Sequence, residues 1–183
     1  MEYLFRYLFK WGFPGWVYVL IVSSYFIIED KSVFIAFFHG LSPSVSGTFL
    51  ILFSAGLVIG YIIHQISLLL GHVIWTKWQT AYHNEFNVES MIMAHPGGKE
   101  ILDIYTGRMS EVAAARSLTG SAVLSSLTLI ILFYLNSWST GTLLLFIGNA
   151  ILVLIVFINY RYLTKNLHYF IFHLNKEMLW QGA

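Results

Sequence analysis

The 183-residue chain has no cysteine, which excludes disulfide scaffolds, thiol catalysis and Cys-ligated zinc or iron–sulfur sites. Charge is nearly as scarce. Asp, Glu, Lys and Arg make up 10% of the residues, against roughly 25% in a soluble globular domain, so the solvated surface of such a domain is missing. The net charge of +1 provides no whole-chain attraction to nucleic acid, which therefore has no support from charge as a partner. Acids are absent from every long apolar run. Glu2, Glu29, Asp30 and Glu177 flank such runs, and Glu85, Glu89, Glu100, Asp103 and Glu111 share one polar loop. That weighs against a proton-driven pump or carrier, which needs ionisable groups at membrane depth. There is no Gly-rich phosphate loop, no pair of carboxylates placed for acid–base work and no Ser-His-Asp set.

What is abundant is apolar surface: 57% of residues are hydrophobic and 17% aromatic. A spanning helix needs about 20 mostly apolar residues. Four stretches meet or approach that length, over 13–29, 47–75, 119–135 and 142–158. The second has no charged residue and is longer than a bilayer core, so it is expected to tilt or project. The last two are joined by the turn-forming segment 136–141 and form an antiparallel hairpin. Residues 32–46 are too short to span and read as an interfacial or re-entrant loop. Residues 1–12, where aromatics alternate with Arg6 and Lys10, suit a helix lying in the interface. This start superficially resembles a signal peptide, but the bulky Phe26-Ile27-Ile28 replaces a small-residue cleavage site, so an uncleaved first span is expected.

Basic residues orient these spans. Arg6 and Lys10 precede the first; Lys77, Lys99, Arg108 and Arg116 lie between the second and third; Arg161, Lys165 and Lys176 follow the fourth. Only Lys31 falls in the other loops. The positive-inside rule then places both termini and the 76–118 loop in the cytoplasm. The expectation is one all-α polytopic domain over 1–183 in the cell (inner) membrane, with four transmembrane helices and cytoplasmic helical extensions. From Lys99 onward no proline interrupts the chain, so a single helix of about 35 residues should run from the loop into the third span. The tail 159–183 should likewise prolong the fourth.

Several constellations are candidates for function. Gly56, Gly60, His64, Ser67 and Gly71 recur every three or four residues and share one face of the second span. Small residues let helix backbones approach closely, so the stripe is either packing within one protomer or an interface or pore lining between protomers. His64, and Asn149 in the fourth span, raise the second option, because polar groups at membrane depth need partners or water. Ala113, Ser117, Ser121 and Ser125 make a similar stripe on the third. The histidines pair poorly as metal ligands. His64 and His72 differ by about 80° around a helix, and His168 and His173 by about 140°. Haem would need one histidine from each of two helices, for which His72 with His168 is a candidate pair. No metal or cofactor is assigned.

Two short patterns resemble known families. Phe86-Asn87-Val88-Glu89-Ser90-Met91-Ile92-Met93-Ala94-His95-Pro96-Gly97-Gly98, with Gly107 beyond it, resembles the haem-binding segment of cytochrome b5. That resemblance implies His95 as an axial haem ligand. The chain departs from the family where the second axial histidine should fall, around Thr119, and leaves no room for the preceding strands. A Pro-Gly-Gly break before a helix start accounts for the same letters. The second pattern, Arg161-Tyr162-Leu163-Thr164-Lys165-Asn166-Leu167-His168, resembles the R-x(4–6)-H motif of HEPN nucleases. It implies a metal-independent RNA-cleaving pair, Arg161 and His168, as in membrane-bound effectors or accessory proteins of antiviral CRISPR-type defence. The same residues also describe a basic juxtamembrane tail on lipid phosphates.

Three function classes follow. The first is a homo-oligomeric, pore-forming or membrane-perturbing protein with a cytoplasmic sensing or assembly part. The second is a membrane-tethered enzyme or haem protein. The third is a scaffold subunit of a larger complex. The lack of catalytic sets favours the first.

Overall fold

The computed structural model describes residues 2–41, 44–70, 78–94, 97–135 and 139–181. Among these the chain forms six helices and no strand: α1 (Glu2–Glu29), α2 (Lys31–Leu41), α3 (Val45–Leu69), α4 (Trp78–Met93), α5 (Gly98–Leu135) and α6 (Thr140–Gln181). Four of them, α1, α3, α5 and α6, carry runs long and apolar enough to cross a membrane. The chain is an all-α polytopic membrane protein.

Two elements differ from the sequence expectation. The N-terminal segment is not a separate interfacial helix but the first turns of α1, which continues through Pro14. Proline removes a backbone donor and crowds the preceding turn; here Pro14 is buried and its carbonyl accepts from Ser121 of α5. The expected loop at 32–46 contains the helix α2, made of a short apolar run too brief to span. The expected 47–75 span corresponds to α3, whose backbone is still helical at Leu70; from 71 to 75 it lies outside the described residues.

The long helix expected from Lys99 is α5, of 38 residues, and the prolonged fourth helix is α6, of 42. At 1.5 Å per residue these reach about 57 Å and about 63 Å, roughly twice a 30 Å hydrocarbon core. They are antiparallel and joined at 136–139, so their excess lengths project from the same end of the bundle, where α4 packs on α5. This projecting stalk has its own core of Ile92, Tyr105, Leu167 and Leu174, flanked by Val88, Leu102, Met109 and Phe170. Arg108 closes its inner side, donating to Asn166 Oδ1 at 2.9 Å with its guanidinium 4.7 Å from the Phe170 ring centre. Gly98 starts α5 so close to α4 that a Cβ there would lie 2.5 Å from the Ile92 carbonyl oxygen. A glycine is needed for that reversal whatever else the segment does. At the opposite end, Tyr25, Leu129 and Phe133 form a second core.

Helix α5 is the hub, packing on α1, α3, α4 and α6. Its small residues make this possible: Ser117, Ser121, Ala122 and Ser125 are all buried. With no water in a bilayer core, their hydroxyls must be satisfied internally. Ser117 donates to the Ala113 carbonyl at 3.0 Å and Ser125 to the Ser121 carbonyl at 2.9 Å. Ser121 instead donates across to the Pro14 carbonyl and ties α5 to α1.

Candidate functional site

The small-residue face of α3 meets partners within the chain. Gly15 of α1 lies against the backbone of Gly56 and Gly60, and a Cβ on Gly15 would collide with the Gly56 carbonyl oxygen and the Gly60 nitrogen. Trp16 covers Gly56 and donates its indole N–H to the Phe53 carbonyl at 3.0 Å. One turn further along α3, His64 and Ser67 face α5. His64 Nδ1 lies 2.7 Å from Ser117 Oγ, and Ser67 Oγ donates to the His64 carbonyl at 2.8 Å. Either atom of the His64–Ser117 pair can donate, according to the imidazole tautomer. Asn149 of α6 also faces α5. Its Nδ2 donates to Ser126 Oγ at 2.8 Å and to the Ala122 carbonyl at 3.2 Å, while its Oδ1 is buried without a partner among the described residues. Gly71, His72 and His95 lie outside the described residues, and no cluster of three or more metal-ligating side chains occurs among those described.

Helices α3 and α6 both pack on α5 but make no extended contact with each other among the described residues. Between them runs a groove of about 890 Å³, floored by Arg116, Thr119, Gly120, Val123, Leu124 and Leu127 of α5. One wall is Ile63, Ile66, Ser67 and Leu70 of α3; the other is Phe157, Tyr160, Arg161 and His168 of α6. That volume is within the roughly 300–1,000 Å³ common to ligand sites. Its lining is half exposed, as at Leu127 on the floor and Ile66 on the α3 wall, so it opens sideways.

The groove is chemically two-ended. Arg116 precedes Thr119 by one turn on α5, and α6, running the other way, brings Arg161 and His168 to the same end beyond Phe157. Arg161 and His168 both line the groove, about 10 Å apart along α6. Arg116, which joins them, was legible only as a topology signal. Which neighbours it would join depended on the gap between α3 and α6. Arg116 Nε is buried with no hydrogen-bond partner among the described residues. No carboxylate lines the groove among the described residues. The arrangement can hold an amphipathic anion: guanidinium groups match phosphate geometry, and the aliphatic walls offer apolar burial. No family model, curated relative or solved structure matches the chain.

Proposed function

We propose that this chain is a homo-oligomeric membrane protein whose spans form a pore or perturb the bilayer and whose cytoplasmic stalk assembles the copies. The observation that carries this reading is the two-sided character of the stalk. On α6 the aromatics Tyr162, Tyr169 and Phe172 are about two-thirds exposed, recur on one face, and stand beside exposed Lys165 and Lys176. On α4 and α5 a second exposed surface holds Phe86, Met93 and Ile104 together with the carboxylates of Glu85, Glu89, Glu100, Asp103 and Glu111.

Both surfaces lie in the part of the helices that exceeds the bilayer, so lipid does not cover them there. Burial of such apolar area stabilises by about 25 cal/mol per Å², and opposite charge orients the encounter. An apolar and basic face on one copy meeting an apolar and acidic face on the next is a heterologous contact, which makes a ring when the rotation between copies closes. A ring of four-span protomers is the architecture a pore needs.

The test is the mass of the detergent-purified protein, followed by conductance in liposomes. Lys165→Glu should release protomers, and Glu89→Lys in the same chain should restore assembly. A monodisperse monomer for the unsubstituted chain would exclude the ring. An assembled ring without ion conductance would exclude the pore and leave an assembly scaffold.

A further inference from the structure

We propose that the groove between α3 and α6 is a binding site for one anionic phospholipid, its phosphate held by Arg116, Arg161 and His168 and an acyl chain lying along Ile66, Val123, Leu127 and Phe157. The inference needs only the membrane setting of the helices and is independent of assembly through the stalk.

Three observations carry it. First, the polarity of the groove matches a phospholipid end to end. From Arg116 to Leu127 along α5 is eleven residues, about 16 Å of helix, close to the half-thickness of a 30 Å hydrocarbon core. A headgroup at the cations thus leaves its chain within one leaflet. Second, the groove opens sideways between two helices that do not close on each other, which is the direction from which a lipid enters. Third, this end of the groove holds a buried donor with no partner among the described residues. It is Arg116 Nε, and a phosphate would supply it with both charge and an acceptor.

Charge complementarity selects the occupant's class. Two arginines and a histidine, with no carboxylate among the described lining residues, fit an anionic headgroup rather than a zwitterionic one. The aliphatic walls fit a lipid rather than free phosphate. RNA fits less well, since a polynucleotide needs a longer basic track and these cations are confined to one end of an apolar slot.

The experiment uses the full chain, purified in detergent and stripped of lipid. It is titrated separately with phosphatidylglycerol, phosphatidylcholine, glycerol 3-phosphate and a single-stranded RNA. Native mass spectrometry reads retained lipid, and the thermal midpoint reads stabilisation. Phosphatidylglycerol should be retained as a single molecule per chain under activation that strips phosphatidylcholine, and glycerol 3-phosphate should not shift the midpoint. Arg116→Gln and Arg161→Gln should each weaken phosphatidylglycerol binding about fivefold, the usual effect of one basic residue near an anionic lipid. Leu127→Trp, at a half-exposed position that tolerates bulk, should weaken retention by filling the chain slot while helicity stays unchanged. Equal retention of the two lipids would overturn the proposal, as would glycerol 3-phosphate acting as well as the lipid. So would RNA cleaved by the unsubstituted chain and spared by both Arg161→Gln and His168→Ala.

Discussion

The glycines of α1 and α3 are where single atoms decide the packing. Gly15 has no space for a Cβ because the backbone of Gly56 and Gly60 occupies it, and Gly12 would place a Cβ 2.6 Å from Leu57 Cδ2. Van der Waals contact between backbones is a main source of helix association in lipid, where no hydrophobic drive separates one helix from another. Gly15→Ala and Gly60→Leu are therefore expected to destabilise the protomer itself, by about 1–3 kcal/mol, the usual cost of overpacking. A thermal-shift series in detergent checks this. Leu57→Ile should be mild beside them. Unchanged stability in both glycine variants, with loss of assembly only, would return this stripe to an interface between copies. Asn149 makes the complementary point. Its amide hydrogens are satisfied by α5, so its depth in the fourth span has an explanation in helix pairing without a water-filled path.

At the scale of the element, α5 and α6 are each two things in one helix. Their halves near the 136–139 link are apolar and span, and their other halves form the walls of a small water-facing core with α4. The change happens without a break because nothing in either helix interrupts the backbone ladder; composition alone changes along it. Leu167 is buried in the stalk core, whereas Phe172, five residues on, is exposed. Leu167→Ala should cost about 2–4 kcal/mol through the cavity it leaves and should loosen α4 from the stalk. That loosening is read as faster amide exchange in Trp78–Met93. Phe172→Ala should leave exchange in α4 unaltered and weaken self-association instead. Identical effects from the two would mean that the exposed aromatic stripe has no role apart from folding.

At the scale of the molecule, orientation rests on charge rather than shape. Nine of the ten basic residues are on one side if both termini and the 76–118 loop are cytoplasmic. The chain has no native cysteine, so single cysteines at Ser44, Ser90, Ser137 and Gln181 can be scanned with an impermeant thiol reagent in intact cells. Labelling is expected at 44 and 137 only. Labelling at 90 would invert the topology, and with it the leaflet in which the Arg116 end of the groove lies.

The number and placement of the apolar helices were legible in the residues, because bilayer thickness sets a length and the cost of unpaired backbone in lipid leaves the helix as the form for each run. The continuous helix through residues 99–135 was legible too, since no breaker follows Pro96. The helix at Lys31–Leu41 was not, because a short apolar run has the same composition whether it coils or loops. Which face of α3 meets α1 and which meets α5, and that α3 and α6 stand apart, had no signature in periodicity. A stripe of small residues announces a close approach without naming the neighbour. Only the tertiary arrangement placed Arg116 beside Arg161 and His168, since forty-five residues and a helix reversal separate the first two. A sequence read along one helix records spacing on that helix alone, and the groove exists because three helices leave one pair of faces uncovered.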